Sequence, residues 1–201
     1  MILNMETISK DRAIKILHSK KISLFSVADA CKVFEVKKEN TLYKLLQRLV
    51  ESNVIERTIK GKYLFSLREV DDFELANFFV NPSYVSLESA LSFYGILSQF
   101  PYTITSVTVL KSKRITYKEK EYEFAHLGKK YFFGFLRKNN FLIAIPEKAL
   151  LDELYFVSKR LRKISAEELN LNVINKRKFK ELSKRYDFIP LQKLLRSLKL
   201  S

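Results

Sequence analysis

Cysteine occurs once in these 201 residues, at Cys31, and histidine twice, at His18 and His126. A single thiol excludes a disulfide framework and a thiolate metal site. Two histidines far apart in sequence offer no imidazole cluster for a metal and no Ser/His/Asp arrangement. Glycine and proline number four each. Gly61, Gly95, Gly128 and Gly134 stand alone, which excludes a Gly-rich phosphate loop and a Gly-rich linker. The apolar run Phe141–Ile145 is far shorter than the roughly 20 residues of a membrane-spanning helix. No basic-then-apolar leader pattern opens the chain. These absences lead to the expectation of a soluble cytoplasmic protein with no membrane association, metal, cofactor or catalytic residues. The pair Glu147 and Asp152 does not change this, because five residues of separation put them on different helix faces.

What is present is apolar residue and positive charge. A hydrophobic content of 47%, with 13% aromatic, is ample for a packed core. The formal net charge is +15. Residues 1–67 carry +6, residues 68–158 are balanced, and residues 159–201 carry +9. A basic excess confined to two segments points to two surfaces for polyanions. The alternative is a lysine-rich composition in which any solvated helix face collects Lys.

The first basic segment has a recognisable order. Its most regular part is Glu39–Ser52, where Leu42, Leu45, Leu46, Leu49 and Val50 recur on one face of a helix. Asn40, Thr41, Lys44, Gln47 and Arg48 lie opposite. Asn53 suits a left-handed turn out of the helix. Two strand-like runs follow, Val54–Ile59 and Lys62–Leu67, joined through Lys60-Gly61. Upstream, Ser9–Ser19 reads as a helix with Ala13, Ile14 and Leu17 on its apolar face, and His18 there reads as a surface residue. Ser26 with Asp29 resembles a capping box that opens a second helix. In that helix Val27, Ala30, Cys31 and Phe34 face inward, and Cys31 reads as a small buried hydrophobe. Helix, helix, short turn, helix and hairpin is the order of a winged helix-turn-helix. The expected DNA contacts are Lys37, Lys38, Asn40, Thr41, Tyr43, Lys44, Gln47 and Arg48 around the third helix, with Arg57, Lys60 and Lys62 from the wing. Lys and Arg would neutralise phosphates. Asn40, Gln47 and Arg48 are the better candidates for base edges. The competing reading is an amphipathic helix packed on a two-stranded ribbon without a ligand.

Beyond residue 68 the pattern changes. Asp71, Asp72 and Glu74 fit the first turn of a helix whose apolar stripe is Leu75, Phe78 and Phe79. Ser86 and Ser89 open another helix, which Gly95 ends. Strand-like runs follow at Ser106–Lys111, Arg114–Tyr117, Glu121–Leu127, Tyr131–Leu136 and Phe141–Ile145, with a turn at Lys138-Asn139-Asn140. Pro146 starts a helix in which Lys148 and Asp152 can pair at i, i+4. The tail from Lys159 reads as basic and helical. Lys176, Lys180 and Lys184 form one stripe there, with Arg177 beside it, and Phe179, Leu182 and Tyr186 form another. These four cations are either a second DNA contact or a solvated face.

Three stretches carry a family resemblance: PSYVSLESALSFYG (82–95), EFAHL (123–127) and FLIAIPEKALLDELY (141–155). Together with RTIKGKYLF (57–65), they resemble the AbiEi family, the antitoxins of type IV toxin–antitoxin systems. The resemblance spans about Val27 to Tyr155. Asn53 stands where a glycine is expected, and Ala125 where a basic residue is common. The resemblance implies an N-terminal winged-helix repressor that autoregulates its operon through inverted repeats in double-stranded operator DNA. It also implies a C-terminal antitoxin domain opposing a nucleotidyltransferase-like toxin without a stable complex. The expected architecture is α+β. A winged helix-turn-helix domain occupies residues 1–68. A mixed α/β domain with a mainly antiparallel sheet and a basic helical tail occupies residues 69–201. The alternatives of another class are a nucleic-acid-binding subunit of an enzyme and a winged-helix interaction module unrelated to a toxin.

Overall fold

The computed structural model describes residues 8–99, 101–198 and 200. The chain divides into two compact units, Met1–Asp71 and Asp72–Ser201. Among the described residues there are eight α-helices and two sheets, and no helix is long and apolar enough to cross a membrane.

In the first unit, α1 (Lys10–Ser19) starts where the Ser9 hydroxyl accepts the Arg12 N–H at 3.3 Å. A short strand, β1 (Leu24–Ser26), then leads into α2 (Val27–Val33). The capping box at Ser26 forms in both directions. Ser26 N–H donates to Asp29 Oδ2 at 2.9 Å, and Asp29 N–H donates to Ser26 Oγ at 3.2 Å. After a turn comes α3 (Glu39–Glu51), which buries Leu42, Leu45, Leu46 and Leu49. Asn53 leaves the helix with φ of 56°, a conformation an Asn tolerates better than most side chains. The hairpin is β2 (Ile55–Ile59) and β3 (Lys62–Phe65). At its tip Gly61 has φ of +74°, and its carbonyl accepts the Val27 N–H at 3.0 Å, tying the hairpin to the start of α2. β1 adds antiparallel to β3, so the sheet runs β1-β3-β2. Phe25 of β1 stacks on Tyr63 at 5.7 Å and meets Phe34 edge-on at 6.2 Å. The core thus joins all three helices to the sheet. Cys31 departs from expectation: it is half-buried against this core, because α2 is only seven residues long and turns a narrow face inward.

The second unit opens with α4 (Asp72–Phe79) and β4 (Ser83–Val85), followed by α5 (Leu87–Phe93). β5 (Ile104–Thr108), β6 (Lys113–Tyr117) and β7 (Lys120–His126) come next. The run from Tyr131 to Leu136 is not one strand. Lys129–Tyr131 is a 3-10 turn, Gly134 has φ of +72°, and β8 (Phe135–Lys138) begins only after it. β8 turns through Asn139-Asn140 into β9 (Phe141–Ala144). The helices α6 (Pro146–Ser158), α7 (Lys176–Ser183) and α8 (Ile189–Ser197) complete the unit. The six strands run in the order β6-β7-β5-β4-β9-β8. Three of the five pairings are antiparallel, while β4–β9 and β5–β7 are parallel. α6 packs against α5, α7 and α8.

A polar cluster is buried inside this unit. Lys148 and Asp152 are both fully buried and ion-paired. The pair meets the i, i+4 expectation in spacing, but it lies inside the fold rather than on a helix surface. Asp152 accepts at four positions. Lys148 Nζ and the Tyr186 hydroxyl (2.8 Å) reach Oδ1, and the hydroxyls of Ser86 (2.9 Å) and Tyr84 (3.0 Å) reach Oδ2. Both lone-pair sets of the carboxylate are thereby used. Ser86 is the N-cap residue of α5 and makes no side-chain cap hydrogen bond, and the Ser89 N–H donates to Thr105 Oγ1 at 3.0 Å. Burial pushes the Lys148 ammonium below its ordinary range, against the upward pull of Asp152. Burial, then the charge of Asp152, holds the Tyr84 and Tyr186 hydroxyls well above theirs.

Candidate nucleic-acid interface

α3 is amphipathic because apolar residues return every three or four positions, so one face is covered and the other is left to solvent. Asn40, Tyr43, Lys44, Gln47 and Arg48 are exposed, and Thr41 is half-buried. Tyr43, at 47% exposure, stands among the large side chains left uncovered. The exposed face divides into two stripes. Asn40, Lys44 and Gln47 follow one line, and the Gln47 side-chain amide donates to Glu51 Oε1 at 2.9 Å. Thr41 and Arg48 follow the other and, with the buried Leu45 between them, line a cavity.

The start of α3 has an unusual cap. Lys38 occupies the N-cap position, and no side chain accepts from the first-turn N–H groups. Those N–H groups, with the positive end of the helix dipole, face outward beside the exposed Lys37 and Lys38. Two ammonium groups and the Glu39 carboxylate of the first turn thus flank this helix end.

On the hairpin, Arg57 and Lys60 are exposed. The register slips between Arg57 and Ile59, and a bulge of this kind re-aims side chains at a strand end. Lys62 sits differently. It is half-buried, and its charge helps hold the Asp29 carboxyl below its ordinary range, after the larger effects of the Ser26 hydrogen bonds. Its ammonium is thus partly engaged within the fold.

In the second unit, Lys176, Arg177, Lys180 and Lys184 are all exposed, with Arg177 Nε 3.4 Å from Glu181 Oε1. They share α7 and its C-cap with buried Phe179. The two stripes are only partly faces of one helix: α7 ends at Ser183 with Lys184 as its C-cap, so Phe179 and Leu182 lie on it and Tyr186 falls in the turn beyond. His126 is exposed, and its Nδ1 lies 2.8 Å from the Leu110 carbonyl, so that nitrogen carries the proton it donates.

Two features were not foreseen. Arg12, on α1, lines the same cavity as Lys37, Lys38 and Arg48. Spacing within one helix carries no signal of a cation contributed by another helix. The buried Lys148–Asp152 centre was visible as a spacing but not as a burial. Among the described residues, no group of His, Cys, Asp and Glu is placed to hold a metal ion. The chain matches no protein-family model and no curated protein.

Proposed function

We propose that this protein is a sequence-specific DNA-binding repressor built on a winged helix-turn-helix, with α3 as the reading helix and the β2–β3 hairpin as the wing. The observation that carries the reading is the outer face of α3. A helix held by a buried leucine face presents Asn40, Lys44, Gln47 and Arg48 to solvent, and its uncapped N-terminus lies beside Lys37 and Lys38. Arg57 and Lys60 add two exposed cations on the hairpin. Backbone N–H groups and lysines suit phosphates, and Asn, Gln and Arg suit base edges. With the AbiEi resemblance, the DNA is an operator with inverted repeats upstream of the protein's own gene. By the same resemblance, the second unit acts as the antitoxin against a nucleotidyltransferase-like toxin. The tail cations Lys176, Arg177, Lys180 and Lys184 are a second basic surface for the same duplex.

The test is a mobility-shift titration with upstream DNA and with scrambled duplex at several salt concentrations. Preference for the upstream sequence is expected at every salt. Arg48→Ala is expected to weaken operator binding by about 1–3 kcal/mol and narrow that preference. Lys60→Ala should weaken binding to all duplexes alike. Equal midpoints on both duplexes would overturn the operator reading. Antitoxin action is tested separately, by co-expression with the product of a neighbouring nucleotidyltransferase-like gene. Rescue of growth should survive Arg48→Ala.

A further inference from the structure

The first unit contains a cavity of about 490 Å³ between the start of α1, the α2–α3 turn and one side of α3. Its volume falls within the roughly 300–1,000 Å³ of small-molecule sites. The apolar wall is Ile8, Phe34, Val36 and Leu45. Arg12, Lys37, Lys38 and Arg48 also line it, against a single carboxylate, Glu35. Thr41 supplies a hydroxyl. Among the described residues, Lys37, Lys38 and Arg48 form no ion pair, so their charge is not used in holding the fold.

We propose that this cavity binds a small organic anion: an apolar aliphatic or aryl body carrying a carboxylate or phosphate. The apolar wall takes the body, and the cations take the charged end. The concave wall focuses the field of those cations, which an equally charged flat surface would spread into solvent. A neutral apolar molecule would leave the cations uncompensated. A bare anion would leave the apolar wall uncovered. The complementarity is therefore to both properties in one molecule.

Lys37, Lys38, Thr41 and Arg48 are also among the side chains assigned to DNA. On that reading, the anion and the operator phosphates draw on the same cations, and the ligand releases the repressor. Binding of the anion itself does not depend on the DNA reading. The experiment keeps the two apart.

Isothermal titration of the full chain without DNA would use decanoate and 1-naphthyl phosphate, each beside its neutral counterpart, decanol and 1-naphthol. At least one anion should bind saturably at one site, about tenfold or more tighter than its neutral partner. The arm that binds tells an aliphatic carboxylate from an aryl phosphate. Val36→Trp fills the cavity from the turn and should abolish binding with the operator affinity kept. Ile8→Trp fills it from α1 and serves if Val36→Trp fails to fold, with circular dichroism as the check. Failure of both anions to bind overturns the proposal, as does equal binding of the neutral molecules or full binding in a folded, filled variant. A mobility shift with the binding anion added then reads the competition. Binding without competition would keep the site and remove its link to DNA.

Discussion

Asp152 and Glu153 are neighbours on α6, both buried, and their surroundings treat them oppositely. Asp152 has four donors, and losing it would leave Lys148 charged and unpaired in the interior. Asp152→Ala is expected to cost about 3–5 kcal/mol of stability in urea unfolding. The double variant Lys148→Met/Asp152→Leu should recover only part of that loss, because it removes the buried charge as well as its partner but leaves the Tyr84, Ser86 and Tyr186 hydroxyls without their acceptor. Gly134 reports on the same centre. A Cβ built there would lie 3.0 Å from Lys148 Cγ, and the residue holds φ of +72°. Glu153 lacks a hydrogen-bond partner at either carboxylate oxygen. Burial first, then the charge of Glu88, pushes its carboxyl up to about 8, with Asp152 and Glu123 adding to the rise and Arg162 opposing it. Arg162 is itself paired with Glu88 and Glu123. Between the ordinary value of 4.5 and about 8, the folded protein holds a proton that the unfolded chain has lost. The stability associated with Glu153 is therefore complete below 4.5 and falls as pH rises through about 8. Glu153→Gln is expected to flatten the decline in melting temperature across that window. An unchanged slope in calorimetry would count against this account of the carboxyl.

At the scale of elements, what the sequence revealed followed from how local the cause was. α1, α3 and α6 were legible from apolar periodicity, and α6 also from Pro146 in its first turn, because a helix closes its hydrogen bonds within itself. The Ser26–Asp29 box and the turn at Asn53 were legible for the same reason. β1 and β4, at three residues each, were not foreseen, because a strand that short exists only through the partner it pairs with. Ser86 opens α5 as its position suggests, while its hydroxyl donates to the distant Asp152 carboxylate, a partner that local spacing does not reveal. Asp72 was expected as a helix-end charge and also accepts from Lys120 and the Tyr122 hydroxyl on β7. The candidate site divides in the same way. The exposed stripe of α3 was readable, and the contribution of Arg12 from another helix was not. The uncapped start of α3 carries its own prediction. Lys38→Ser supplies the missing cap and should stabilise the first unit by about 1 kcal/mol. It also removes one ammonium group and occupies the N–H groups offered to phosphate, so operator binding should weaken. A variant more stable to heat yet weaker on DNA is the expected combination. Tighter binding after capping would mean that the helix end does not face a phosphate.

The whole molecule carries its +15 at both ends, and this distribution makes a statement that no single residue makes. The cations of the first unit sit among groups suited to base edges, so on the proposed reading they would bear on affinity and selectivity together. Those of α7 lie on a helix whose inner stripe is spent on packing. Tyr186 stacks on Tyr131 at 4.2 Å, and its hydroxyl reaches Asp152, so the tail is anchored to the fold of the second unit. A fixed row of ammonium and guanidinium groups, whose neighbouring amide Asn175 is spent on capping the helix, can neutralise phosphates without reading sequence. Each phosphate neutralised steepens the fall of affinity with salt by about 0.9 in logarithmic slope. Replacing Lys176, Arg177, Lys180 and Lys184 together by Ala is therefore expected to lower affinity for operator and scrambled duplex by the same factor and to make the salt dependence shallower. The ratio between the two duplexes should stay where it was. The corresponding change in α3, Asn40→Ala with Arg48→Ala, should reduce that ratio. Titrations of the three proteins on both duplexes at several salt concentrations separate the cases. An unaltered slope in the tail variant would leave α7 as a solvated face and put all of the DNA contact on the first unit.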